Sequence, residues 1–373
     1  MKIVILNDVY TGQEAHYNHP FVEYAGRELV KLLVESDLIS PTKEKYLNEK
    51  QLISQFHYIE LCNEIKIMTV FPFLAPNNEP EELFTGAKGG NKDLPKLKLG
   101  KFLDPKYNDY LEQMWKGLLE IKPNLIIALG PISSWAVVGN GSVTAIRGAF
   151  VKSVRGNFKV IATHHPRNLL TNYPLRSIIG MDFKKAKQDK NFPEVRKVQR
   201  WTLINPTIKE IKDWLAIPAT HYSCDIESGR ALFTSVEIKH MIYDQDSILN
   251  HAISMIGFAR SNSQALVIPF LIREGNELRA YWETREETEQ VWRIVKEVLL
   301  GDKIKIFQNG IYDISMLLNY KMQFRNCKED TMLLSHSLFS ELPKGLGFLG
   351  SLYENCHPWK LDYQHSDDLE KDN

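Results

Sequence analysis

Strand-like and helix-like stretches alternate from the first residues onward, and that alternation constrains the fold more than any other feature of the chain. Apolar runs at residues 3–6, 65–70, 125–129 and 159–162 are separated by helical periods at 21–35 and near 110–121. Runs that are apolar at nearly every position belong to strands buried on both faces. The first half therefore predicts a parallel sheet with helices on either side. A stretch rich in Pro, Gly, Asn and Lys between Leu74 and Gly100 reads as a long loop.

The second half has a different order. A short helix at 208–215 precedes a buried strand at 222–226, then two strands at 252–259 and 265–270 around the polar turn Ser261-Asn262-Ser263. A helix at 286–300 and a strand at 305–308 follow, which together describe a mixed sheet. The charged segment 183–197, with Pro193, reads as the exposed connector between two cores. Two α/β domains are expected, at 1–190 and 200–373, and 373 residues suffice for both cores.

Composition narrows the options further. Basic and acidic residues balance at 46 each, so any contact with a polyanion has to come from local patches. Cys62, Cys224, Cys327 and Cys356 form no CxxC pair, which argues against structural zinc or an iron–sulfur cluster and predicts free thiols in a reducing cytoplasm. The first residues, MKIVILNDVY, lack the pattern of a secretory leader, and no run approaches the roughly 20 apolar residues of a membrane span. The expectation is a cytoplasmic protein without a membrane partner.

The chemistry concentrates in Asp225-Ile226-Glu227 and, downstream, Asn309-Gly310-Ile311-Tyr312-Asp313. A strand puts residues two apart on the same face, so Asp225 and Glu227 point the same way, and a third acid on a later helix, Asp313, can join them. Three carboxylates offer the hard oxygen donors that Mg2+ or Mn2+ prefers, and a pair of such ions hydrolyses phosphodiesters. Read without that chemistry, the same residues are a strand end and a helix start, with Asn309 near the cap and Asp313 in the first turn.

These motifs, with Asp330-Thr331-Met332-Leu333 and the run SHSLFSELPKGLGFLGSLY after it, resemble the DEDD 3'-5' exonucleases in the version fused to family A DNA polymerases, including those of bacteriophages. The resemblance spans roughly residues 201–360. It implies a ribonuclease H-like domain in which Asp225 bridges two Mg2+ or Mn2+ ions and Glu227 holds the ion that binds the attacking water. Asp313 would reach the second ion, and Asn309 would position the strand backbone or the helix that carries Asp313. Asp330 is expected to cap the helix that starts at Thr331. The family's last element, a Tyr four residues before an Asp, finds its spacing in Tyr363 and Asp367, but the surrounding tail lacks an apolar helical period. The resemblance thus implies the front portion of a larger polymerase, with the last acid supplied by a downstream polypeptide or absent.

The first half resembles the uracil-DNA glycosylase superfamily over roughly residues 1–185, through 18–22, 123–130, Ile146-Arg147-Gly148 and the stretch 162–170 with His164-His165-Pro166. It implies a three-layer parallel-sheet domain in which Phe21 stacks on a flipped base, His165 lies beside the departing base, and Asp8 is the acid of the first motif. The chain departs from that family at Tyr10-Thr11, where a Pro-Gly is usual, at Thr69, where an Asn is usual, and in lacking the cluster cysteines. A DNA-binding or structural module is the expected role, with uracil excision as an alternative. Arg147, Lys152, Arg155 and Arg167 are either phosphate contacts or a solvated surface. The expectation for the whole chain is a metal-dependent 3'-5' proofreading exonuclease that meets DNA and replication proteins. The alternative is a non-catalytic, DNA-binding part of a split polymerase.

Overall fold

The computed structural model describes residues 2–40, 48–85, 94–97, 101–196, 198–230, 251–274 and 277–355. Cys356, Tyr363 and Asp367 lie outside them. The protein is α/β and divides into two compact units. Unit 1 comprises Met1–Lys197 together with the segment that begins at Gly347, and unit 2 is Val198–Leu346. The division thus falls between 190 and 200, but the stretch from Gly347 groups with the first unit, not with the second as expected.

Unit 1 is built on a five-stranded sheet of β1 (Ile3–Tyr10), β2 (Ile65–Leu74), β3 (Leu125–Leu129), β4 (Phe150–Lys152) and β5 (Lys159–Thr163), in the order β2-β1-β3-β5-β4. All pairings are parallel except that of the edge strand β4. Every residue of β1, β3 and β5 is buried, which is why the runs Ile3–Leu6, Leu125–Leu129 and Val160–Ala162 are apolar, while Asn7, Asp8, Lys159 and Thr163 are buried polar residues of these strands. Alternate side chains serve two cores. Ile3, Ile5, Leu125 and Ile127 pack with α2 (Tyr24–Glu35), α3 (Glu49–Cys62) and α6 (Leu175–Asp189). Val4, Leu6, Ile126 and Ala128 pack with α4 (Asn108–Ile121) and α5 (Pro131–Val138). Each buried Val, Leu or Ile among them stabilises the fold by about 1.5–3 kcal/mol relative to exposure. A short helix α1 (Gly12–Tyr17) follows β1.

Two sequence expectations fail here. The segment 183–197 does not begin as a connector, because residues to Asp189 belong to α6, with Ile178, Ile179, Phe183 and Ala186 buried on one face. Its lysines occupy the other face of an amphipathic helix, and the irregular backbone starts only beyond Asp189. Helix α2 starts at Tyr24, not at Phe21. Phe21 has φ 61°, and a Cβ on Gly26 would lie 1.7 Å from the Phe21 carbonyl oxygen, so glycine alone permits this approach.

Arg147 also departs from expectation. It is 1% exposed, with no solvent face to offer a phosphate. Its Nε donates to Asp182 at 3.0 Å, and Nη1 donates to the Ser351 hydroxyl at 3.0 Å. Thr163 donates to the same Asp182 carboxylate at 2.6 Å. Ser351 lies in α11 (Leu346–Tyr353), whose Leu349 and Leu352 are also buried. Lys185 donates to the Ser351 and Glu354 carbonyls at 2.8 and 2.6 Å, and Asn355 accepts from the amide of Phe150 on the edge strand at 2.8 Å. The segment from Gly347 is thus fastened to the rest of unit 1 by the Arg147–Ser351 hydrogen bond and by several contacts that involve backbone groups. Of the other three cations, Arg155 pairs with Glu112 at 2.9 Å, Arg167 with Glu14 at 3.2 Å, and Lys152 is exposed.

Unit 2 carries a six-stranded mixed sheet of β6 (Trp201–Leu203), β7 (His221–Arg230), β8 (His251–Ser261), β9 (Gln264–Pro269), β10 (Ile304–Phe307) and β11 (Cys327–Asp330), in the order β11-β10-β7-β8-β9-β6. β7, β8 and β9 form the expected antiparallel meander, while β10 and β11 add in parallel. Along β7, Tyr222, Cys224 and Ile226 enter the core with α7 (Ile208–Ala216) and α8 (Arg285–Leu300). Ser223, Asp225 and Glu227 alternate to the exposed face. Burial pushes the Cys224 thiol up to about 12, so it stays protonated. Cys62, Cys224 and Cys327 are free thiols. Among the described residues no helix is long and apolar enough to cross a membrane.

Candidate functional site

Asp225 and Glu227 lie on β7 past the point where its pairing with β10 ends. The ladder pairs Ile304–Ile306 with His221–Ser223 and goes no further, so among the described residues the edge of β7 beyond Ser223 has no strand partner on that side. The chain leaves β10, turns through Gln308-Asn309-Gly310 and enters α9 (Ile311–Asn319), with Asp313 in its first turn. Asp313 Oδ1 accepts the Ile226 amide at 2.9 Å. An acid from a later helix therefore takes up the backbone N–H that lies between Asp225 and Glu227. Asp225 and Glu227 are exposed on one face of β7, whereas Asp313 is buried. Beside Asp225, a shallow cavity of about 270 Å³ is floored by the small residues Gly257, Ala259 and Ala265.

Burial raises the pKa of Asp313; the Ile226 N–H opposes the rise, and the negative charges of Glu227 and Asp330 add to it. A cation held among these acids would relieve that repulsion, and the donors are oxygen only, as Mg2+ and Mn2+ require. The donor set fits such an ion. As the chain stands, no three carboxylate, imidazole or thiol groups among the described residues close around one point.

Asn309 is exposed, with φ 55°, a left-handed turn that Asn tolerates. Its amide donates to Asp330 Oδ1 at 3.1 Å, and that of Gly310 donates to Oδ2 at 2.8 Å. Asp330 also accepts from Met332 and Leu333 at 2.8 and 3.2 Å, capping α10 (Thr331–Leu338). Burial works against the charge of Asp330, but these four N–H donors outweigh it and hold its pKa below the usual range. The cap was legible from Asp-Thr ahead of an apolar run. The grip on the Asn309-Gly310 turn was not, since nothing local links residues 21 apart.

Unit 1 has a second candidate, at the carboxyl ends of β1 and β3, where the strand order reverses and parallel sheets place their clefts. A cavity of about 170 Å³ there is lined by Asp8, Glu81, Pro131, His165 and Arg167. Asp8 Oδ1 accepts the Ser133 amide at 2.5 Å, and a Cβ on Gly130 would meet Asp8 Oδ2 at 2.3 Å. The His165 Nδ1 accepts from the Arg167 amide at 3.0 Å, which leaves its proton on Nε2, 2.7 Å from the Asn7 Oδ1 that accepts it. Burial, with Arg167 adding to it, pushes the imidazole well below its usual pKa, so it is neutral. Phe21 is fully buried and stacks directly on His165, with centroids 5.6 Å apart. A base between two rings needs about 7 Å, twice the carbon contact distance. Asp8, Phe21 and His165 are therefore brought together, but the rings leave no slot between them.

Burial raises the pKa of Asp8 from 3.8 to about 6. The folded chain keeps this proton to higher pH than the unfolded chain, so ionisation costs stability that is absent below about pH 4 and fully felt above about pH 6, roughly 3 kcal/mol. Asp8→Asn retains an oxygen for the Ser133 N–H. It is expected to match the parent near pH 4 and to exceed it by up to that amount at neutral pH, as read by urea unfolding.

No protein-family model matches the chain, and no curated protein does. Among solved structures, one described as the apo form of the nuclease is similar over 41% of this chain and 58% of its own length, at 15% identity and a TM-score of 0.24. A likeness of that size carries no argument about fold or chemistry.

Proposed function

We propose that unit 2 is a metal-dependent nuclease that removes nucleotides from the 3' end of a DNA strand. The observation that carries this reading is the 2.9 Å contact of Asp313 with the Ile226 amide, the backbone group that lies between Asp225 and Glu227 in the chain. The oxygen-only donor set and the three motifs that resemble the DEDD exonucleases support it. Asp225, Glu227 and the second oxygen of Asp313 would hold Mg2+ or Mn2+ ions. Such ions activate a water and stabilise the departing 3' oxygen. Asp330 acts on the backbone, fixing the turn from which α9 starts. A downstream polymerase polypeptide or another replication protein is the partner this reading expects, and it would add the acid for which Tyr363 and Asp367 have only the spacing.

The test is a 5'-labelled single strand incubated with the full chain and Mg2+. A ladder of shortened products that EDTA abolishes is the expected result. A strand left intact at every Mg2+ and Mn2+ concentration, with and without the downstream polypeptide, would sink the proposal. Uracil excision is not taken as a second reading, because the Phe21 face that would stack the base is covered by His165.

A further inference from the structure

The strand that carries Glu227 is irregular at that residue. β8 pairs Ile253 with Ser228 and Met255 with Glu227, so Ser254 is an extra residue, a bulge opposite the Glu227–Ser228 step. The Ser254 hydroxyl donates to the Glu227 carbonyl at 2.9 Å. Bulges recur beside active sites because they re-aim a side chain, but they also loosen the ladder that should hold it. On its other side the pairing of β7 with β10 ends at Ser223, and no described strand continues it. Among the described residues, Glu227 therefore lies on backbone that neither neighbouring strand fully pins.

Helix α9 supplies what the ladder lacks. Tyr312, next to Asp313, hydrogen-bonds through its hydroxyl to the Ser228 hydroxyl, next to Glu227. Tyr320, at the other end of the helix, accepts the Ile253 amide at 3.1 Å. Ser228 and Ile253 are cross-strand partners, so the two tyrosines grip the bulge from both strands. Tyr320 is itself braced by stacking on Trp292, which stacks on Phe270. Resting on the nuclease reading, we propose that Tyr312 and Tyr320 are positioning residues: their hydroxyls hold the bulge at Ser228 and Ile253 and so aim the Glu227 carboxylate toward Asp313. Both tyrosine rings remain about two-fifths exposed, so the hydroxyl contacts, not core packing, are what they add.

The test removes the hydroxyls alone. Tyr312→Phe, Tyr320→Phe and Ser228→Ala are made in the full chain, with the exposed Tyr58→Phe as a control. Mn2+ binding without DNA is followed by electron paramagnetic resonance, alongside thermal melting and the Mg2+ dependence of strand shortening. Each of the three variants is expected to need about tenfold more Mn2+ for half-saturation, the usual effect of losing a group that orients a metal ligand. Their melting temperatures should stay at the parent's, and saturating metal should restore cutting. Tyr312→Phe combined with Ser228→Ala should be no worse than either alone, because both break one bond. A parent that binds Mn2+ and cuts, with variants of unchanged Mn2+ affinity, overturns the positioning role and leaves the nuclease standing. Variants whose affinity falls only in step with melting also overturn it, since that is a structural role. A parent that neither binds Mn2+ nor cuts removes the nuclease reading and this inference with it.

Discussion

Asp313→Asn should silence the metal-dependent shortening of DNA while leaving the fold intact. The amide oxygen of Asn can still accept the Ile226 N–H, so the 2.9 Å contact that seats α9 on β7 survives. What disappears is a negative charge among three acids that together should hold cations. Several kcal/mol of charge stabilisation rest on such ions, so a loss of about a thousandfold in rate is expected. Removing one of three mutually repelling acids should also leave the melting temperature unchanged or raised, since burial and its neighbours already oppose ionisation of Asp313. Asp225→Ala should match it in rate. Single-turnover shortening of a labelled strand together with a melting curve decides the matter: retained cutting refutes the role of Asp313, and lost cutting with a collapsed fold shows only that the contact was structural.

The second large effect is expected far from those acids. Arg147→Met strips the counter-ion from Asp182, which is fully buried and, among the described side chains that bond it, keeps the Thr163 hydroxyl. Breaking one side of a buried ion pair costs about 3–5 kcal/mol, because the remaining charge cannot reach water. The same change removes the donor to Ser351, so the segment from Gly347 loses its central anchor. At about 2–4 °C per kcal/mol for a unit of this size, the first unfolding transition should drop by roughly 6–20 °C. Arg147→Met with Asp182→Leu should be milder than Arg147→Met alone, since no unpaired charge remains. A loss below about 1 kcal/mol in the single variant would contradict this account. Circular dichroism melts of the two variants suffice.

How much of the structure can be read from the sequence depends on the range of the forces involved. The sheet of unit 1 was legible because a strand buried on both faces has to be apolar at every position, and Ile3-Val4-Ile5-Leu6 and Leu125-Ile126-Ile127-Ala128-Leu129 are. That Asp225 and Glu227 share a face of β7 was legible from their spacing, but the strand is buried on one face only: Tyr222, Cys224 and Ile226 face in, and Ser223, Asp225 and Glu227 face out. Helix α6 was misread because its lysines dominate the composition while only Ile178, Ile179, Phe183 and Ala186 mark its packed face. The fates of Arg147 and Asp330 were hidden for another reason, since both are fixed by partners distant in the chain: Asp182 and Ser351 for one, Asn309 and Gly310 for the other. The Ser254 bulge leaves no local trace in β8, whose residues read as an ordinary strand.

Because Ser351 and Asn355 complete a unit whose other residues end at Lys197, the ribosome has to make all of Val198–Leu346 before that unit can close. At ordinary elongation speeds this is a delay of roughly 10–30 s, during which the Arg147 guanidinium waits beside Asp182 without its final cover. Unit 2 therefore has time to fold first, and the nascent first unit is the one a chaperone would meet half-finished.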